Sequence, residues 1–172
     1  MDNASYFTTL ARYNVWATGR LLDAVAAVPE DDYRRYVGLF FKSIHGTLNH
    51  LLVADNIWFP RFAEGRSPSM ALNAELAPDR AQLAARLREG VARWAPLIGT
   101  FTAAQWQGPL DYVTTQGVPV SLPFTPTLGH VINHGTHHRG QVTAALTALT
   151  ALGQPAPVID LVYMLVEEQK QP

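Results

Sequence analysis

The chain reads as an all-α protein: a bundle of four long helices, with a short extra C-terminal helix and a small irregular or hairpin insertion before the histidine-bearing helix. Three observations predict this. Apolar residues recur at helical spacing over four long stretches, Pro- and Gly-bearing breaks separate them, and only the segment between Thr100 and Pro126 replaces that period with glycine, proline and β-branched residues. A length of 172 residues with 48% hydrophobic content suffices for one substantial core, so a single domain over 1–172 is expected.

The first helix runs from about Ala4 to Val28, where Tyr6, Leu10, Tyr13, Ala17, Leu21 and Val25 mark one face and Pro29-Glu30-Asp31-Asp32 ends the run. The second, from about Phe40 to Ala63, is apolar on nearly every side and should be the most buried, since such an element packs against several others. Gly65-Arg66-Ser67-Pro68 breaks it. Pro78-Asp79 opens a third helix through about Leu97, with Leu83, Leu87, Val91 and Trp94 facing inward. Thr102 resembles an N-cap for a short turn from Ala103 to Trp106. Asp111-Tyr112-Val113-Thr114 and Val118-Pro119-Val120-Ser121 then flank Thr115-Gln116-Gly117, which reads as a small hairpin or an extended lid. Thr125 or Pro126 starts the fourth long helix, which continues to about Leu152 and stops at Gly153-Gln154-Pro155. A short helix from about Ala156 to Glu168 follows, and there is no internal repeat or low-complexity tract.

Composition excludes several classes of function. A formal net charge of -1 offers no footprint for a nucleic-acid backbone, and Arg34-Arg35 is too small a cluster to change that. The absence of cysteine removes disulfides, thiolate nucleophiles and cysteine-ligated zinc, so any thiol chemistry must come from a bound ligand. Met1-Asp2-Asn3-Ala4 lacks the basic and apolar regions of a secretory signal, and Asp55 and Asn56 interrupt the most hydrophobic stretch short of a membrane span. A cytoplasmic protein with no membrane partner is therefore expected.

The candidate site lies in His130-Val131-Ile132-Asn133-His134-Gly135-Thr136-His137-His138-Arg139-Gly140-Gln141, where His130, His134 and His138 recur every fourth residue. On a helix that spacing stacks imidazoles one turn apart, so that two neutral ring nitrogens can converge on one borderline-soft cation such as Zn²⁺ or Ni²⁺. Leu128, Val131, Ile132, Gly135, Val142, Leu146 and Leu149 form the apolar arc, and His134 and His138 fall at its edge beside Ala145. His137 lies towards solvent. His130 and Gln141 sit between the two groups, as an outer ligand or a hydrogen-bond partner. The bland alternative is a histidine-rich helix face that holds no metal.

Two histidines leave a cation under-coordinated, and the remaining ones, His45 and His50, lie about 140° apart on the second helix, so both cannot be ligands. His45 borders the arc of Phe40, Phe41, Ile44, Leu48, Leu51 and Trp58, and His50 a smaller face with Ala54 and Ile57. Periodicity does not choose between them. The runs Tyr13-Asn14-Val15-Trp16-Ala17, Leu48-Asn49-His50-Leu51-Leu52-Val53-Ala54-Asp55 with Trp58, and Asn133-His134-Gly135-Thr136-His137-His138-Arg139-Gly140-Gln141 resemble, in order, the DinB-like family, regarded as metalloenzymes. The resemblance spans most of the chain and is most specific in its last block. It implies a divalent metal held by His50, His134 and His138, with His45 structural. It also implies an antiparallel four-helix bundle connected up-down-down-up, in which the irregular segment is the long crossover.

Three imidazoles contribute no charge, so a bound dication keeps its Lewis acidity and can hold water or a substrate heteroatom at an open position. Water activation would permit hydrolysis, and binding an external thiol as thiolate would permit transfer or isomerisation. The resemblance implies the second route, because some relatives use low-molecular-weight thiols. The expected function is thus a metal-dependent enzyme of the thiol-dependent transferase, isomerase or hydrolase kind, acting on a small molecule. The alternative is a non-catalytic metal-binding or stress-associated interaction protein on the same scaffold. The lack of a carboxylate argues against a two-histidine-one-carboxylate iron site.

Gln141 is the candidate orienter of a ligand imidazole. Arg139, in the middle of the apolar arc, is expected to pair with Asp55 or Asp160, or to run its stem to solvent. Trp16, Trp58, Trp94 and Trp106 read as core, with lining a pocket beside the metal as the alternative. Gly135 and Gly140 each cost their helix about 1 kcal/mol relative to alanine, which predicts close approach of another helix at both. An all-round apolar segment and the habit of such relatives predict a homodimer.

Overall fold

The computed structural model of the chain describes residues 2–149 and 156–170. Asp2 caps the first helix, α1 (Asn3–Ala26), by accepting a hydrogen bond from the Ser5 amide, and Ala27 ends it. The Pro29-Glu30-Asp31-Asp32 run does not merely terminate α1. Proline at the N-cap and three acids in the first turn start a further short helix, α2 (Glu30–Arg34), which the apolar period alone did not show because it spans barely more than one turn.

The second long helix, α3 (Ile44–Ala63), begins four residues later than periodicity predicts. Lys42 adopts a left-handed backbone (φ 72°), and the Ser43 side chain accepts from the Gly46 amide, so the chain turns before it can coil. Phe40 and Phe41 therefore lie outside the helix, and Phe40 is exposed rather than part of its apolar arc. Thirteen of the twenty residues of α3 are buried, which bears out its place as the most enclosed helix. Asp79 caps α4 (Arg80–Ala92), and a break at Arg93 separates it from α5 (Trp94–Ile98), so the predicted third helix is two successive helices.

Thr102 caps α6 (Ala103–Gln107) in a reciprocal capping box with Gln105. The insertion is regular: β1 (Pro109–Val113) pairs antiparallel with β2 (Pro119–Pro123), with Tyr112 opposite Val120. Gly117 (φ 83°) supplies the turn, so the expectation of an all-α protein gives way to a predominantly helical one with a two-stranded sheet. Its prolines sit at strand ends, where a missing N–H costs no ladder bond. The histidine helix α7 (Phe124–Ala148) starts directly from β2. Its expected end at Gly153-Gln154-Pro155 lies outside the described residues. The last helix, α8 (Leu161–Gln169), is shorter at its start than the expected one, because Asp160 occupies the N-cap.

Helix α1 packs on α4, α5 and α7, and α3 packs on α4 and α7. Between them lies an aliphatic core of residues such as Leu21, Leu48, Leu83 and Leu146, and towards the hairpin an aromatic one with Phe7, Phe62, Trp94, Phe101 and Phe124. The α3–α7 seam is what carries the histidines to one place.

Candidate metal centre

His50 of α3 and His134 and His138 of α7 present their Nε2 atoms to one another. His134 Nε2 lies 3.0 Å from His50 Nε2 and 3.1 Å from His138 Nε2. His50 and His138 are buried and His134 is half-buried, and one ligand atom from each of the three falls within 4.8 Å of the others. Tetrahedral binding at about 2.0–2.1 Å would set such nitrogens roughly 3.3 Å apart, so the two separations from His134 need to open by only a few tenths of an ångström to hold an ion.

The outer ring nitrogens explain why the inner ones face each other. His50 Nδ1 donates to the Leu72 carbonyl at 2.8 Å, and His138 Nδ1 donates to Gln141 Oε1 at 2.7 Å. Each donation fixes the neutral tautomer whose Nε2 carries a lone pair. His134 Nε2 therefore sits between two acceptors and has at most one proton to offer. At least one of the two short contacts brings lone pairs together, an arrangement a cation resolves. Burial, followed by the charge of its histidine neighbours, drives His134 down to about 3. Burial likewise takes His138 down to about 4, against the hydrogen bond it donates to Gln141, and lowers His50. All three rings are thus neutral at neutral pH, the state in which imidazole binds metal.

The other histidines separate cleanly. His45 points away, with Nδ1 3.0 Å from the buried Tyr33 hydroxyl and Nε2 2.6 Å from Glu75 Oε1. His137 is exposed and accepts from the Gln141 amide at 3.2 Å, so Gln141 connects the outer histidine to the orientation of His138. His130 packs its ring against Trp58, 5.7 Å from the His134 ring centroid, and is not part of the convergent group. No carboxylate joins that group among the described residues.

Two contributors escaped sequence reasoning. Phe41 stacks face to face on His50 at 3.8 Å and edge-on to His138, covering one side of the site. The Leu72 carbonyl comes from an irregular segment with no side-chain signature. A signal did exist for Asn14, a polar residue on an inward face of α1: its Oδ1 accepts from Arg139 Nη2 at 2.8 Å.

Arg139 departs from its expected partners. Asp55 is held by Arg93 and by Trp94 Nε1, and Asp160 sits exposed at the start of α8, so Arg139 bonds Asn14 and Thr136 instead. Gly135 makes room for this side chain, since a Cβ there would come within 3.0 Å of Arg139 Nη1 and 3.8 Å of Asn14 Oδ1. At Gly140 the predicted close approach is absent, because nothing lies within 4 Å. Beside the histidines a cavity of about 60 Å³ runs between the helices, and His134, Trp58, Trp94 and Arg139 all contribute to its wall.

Fold and site together define a predominantly helical protein with a convergent three-histidine group able to hold a metal ion. The chain belongs to the DinB family, whose family model matches residues 1–171. Among curated proteins it is similar to the Protein DinB of Bacillus subtilis (strain 168), at 28% identity over 141 residues, 80% of this chain and 82% of the relative. No solved structure matches the chain.

Proposed function

We propose that the protein is a metal-dependent enzyme in which His50, His134 and His138 hold one divalent ion, Zn²⁺ or Ni²⁺. The observation that carries this reading is the meeting of three Nε2 atoms, with the outer nitrogens of His50 and His138 engaged in orienting hydrogen bonds. A bound dication on three neutral ligands would supply Lewis acidity and lower the pKa of a water or thiol at its open position. The chain's own part is to hold that position. Leu72 and Gln141 fix two ring orientations, Phe41 shields one side, and the cavity reaching His134 supports access for a small molecule. With no cysteine in the chain, a thiol would have to be a low-molecular-weight co-substrate, which makes thiol-dependent transfer or isomerisation the leading reaction class and hydrolysis the next.

The same reading takes the chain as one domain, an antiparallel four-helix bundle connected up-down-down-up, acting in the cytoplasm as a homodimer. Packing of α1 and α3 each against α4 and α7 supports the bundle, and exposed Val162, Tyr163 and Val166 on α8 support the dimer.

The test is metal content by plasma mass spectrometry on untagged protein, alongside His134→Ala/His138→Ala, followed by cobalt substitution. About one equivalent of metal, lost in the double variant, and a thiolate-to-cobalt absorption band on adding cysteine are the expected results. No uptake on supplementation would overturn the metal reading. A loaded protein with no such band would remove the thiol chemistry and leave hydrolysis.

A further inference from the structure

Arg139 is 2% exposed, and a guanidinium does not deprotonate in proteins, so its charge must be met where it lies. Among the described residues no carboxylate meets it. Arg12, Arg20, Arg34, Arg80, Arg88 and Arg93 all pair with acids, whereas Arg139 has only neutral oxygens, Asn14 Oδ1 at 2.8 Å and Thr136 Oγ1 at 3.0 Å, both on Nη2, with the Tyr13 hydroxyl also acting on the guanidinium. Its Nε is buried with no partner. Arg61, the other deeply buried arginine without an acid, lies between two aromatic faces, 4.5 Å from Trp58 and 4.2 Å from Tyr112, and donates to the Val113 carbonyl. Arg139 has a single ring nearby, Tyr13 at 5.2 Å, and its guanidinium stands at the wall of the cavity.

The position of Nη1 indicates what the cavity is for. It lies against Gly135, itself a lining residue, where a Cβ would crowd it at 3.0 Å. The glycine thus leaves Nη1 uncrowded, and no charged acceptor among the described residues engages it, the neutral Tyr13 hydroxyl being the remaining group that acts on the guanidinium. Beyond it the wall is apolar, with Leu48, Leu51 and Val131, and His134 of the histidine group also contributes. The cavity's one carboxylate, Asp55, is turned to Arg93 and Trp94.

We propose that this cavity is an anion-binding pocket that takes the carboxylate of a small, otherwise apolar acid at Arg139, with the body of the ligand directed towards His134. The volume of about 60 Å³ limits the part enclosed to a short chain. Holding the anion needs no metal. Only the pocket's role as a substrate site rests on the metal reading above, where it would place the acid's other end beside the ion.

The experiment follows the indole N–H resonances of Trp58 and Trp94, both in the wall, during titration with propionate and with its neutral isostere propionamide, on zinc-loaded and on chelator-stripped protein. Propionate is expected to shift both resonances saturably in either form, and propionamide in neither. Arg139→Met is expected to weaken propionate binding about tenfold or more, since a charged hydrogen bond is lost. Should that variant fail to fold, Asn14→Asp serves instead. It places an internal carboxylate on Nη2, and is expected to abolish propionate binding while raising Tm. Propionate binding that is unchanged in Asn14→Asp or Arg139→Met would overturn the proposal. Binding confined to the zinc form and insensitive to Arg139 would overturn it too, by showing the acid on the metal. Failure of the metal reading shows separately, as absence of zinc in a protein that still binds propionate.

Discussion

Two histidines on α3, five residues apart, are both buried, yet one is saturated and the other is not. His45 has Tyr33 on one ring nitrogen and Glu75 on the other, with the Asn49 amide 3.1 Å from Nε2, so every polar atom finds a partner inside the fold. His50 has one such partner, the Leu72 carbonyl, and turns its remaining nitrogen towards two more imidazoles. The lesson is that burial alone does not distinguish a structural histidine from a ligand. The distinction lies in whether the inner lone pair has been given a donor.

Substitution should break the comparison in opposite ways. His134→Ala removes the nitrogen on which the others converge, and zinc affinity, measured by chelator competition, should fall by more than about a hundredfold. Unfolding free energy of the metal-free form should change little or rise, because close lone pairs are separated. His45→Ala should leave zinc affinity unaltered but cost about 2–3 kcal/mol in urea unfolding, since it strands the buried Tyr33 hydroxyl. Equal loss of zinc in both variants would contradict the division.

A subtler change tests orientation. Gln141→Leu keeps all three ligand rings but removes the acceptor that sets the His138 tautomer, and should weaken zinc binding about tenfold with little effect on Tm. The smallest effect concerns the saturated side. Burial pushes the Tyr33 hydroxyl up to about 12 from 10.0, so above pH 10 the unfolded chain loses a proton that the folded one keeps, and stability falls as pH rises through that window. Between pH 10 and about 11 this should cost at most about 1 kcal/mol, and Tyr33→Phe should flatten the slope. The slope decides the matter, because the substitution also deletes the bond to His45.

The histidine spacing on α7 was legible in the sequence because i,i+4 is a property of one helix. The choice of His50 over His45 was not, since both lie at the border of an apolar face. It needed the family resemblance, and the structure brings His50 to the pair. The hairpin was visible from Gly117 and its flanking β-branched runs, whereas α2 was hidden because five residues are too few to show a helical period. Arg139 stood out as a charge in an apolar arc, yet its partners were misread: Asp55 satisfies phase arguments equally well but is captured by Arg93 and Trp94 from α4–α5.

Local order along this chain was thus determined by its residues alone: the caps at Asp2, Ser43, Asp79 and Thr102, the turn at Gly117, and the stacked imidazoles of α7 all depend on neighbours a few positions apart. The tertiary structure alone decided which polar atoms are left without a partner. Saturation depends on groups brought from 12 to 125 residues away, such as Tyr33 to His45 and Asn14 to Arg139, and no periodicity records whether a distant donor arrives. Among the described residues, the three Nε2 atoms and Arg139 Nε are among the places where no distant partner arrives.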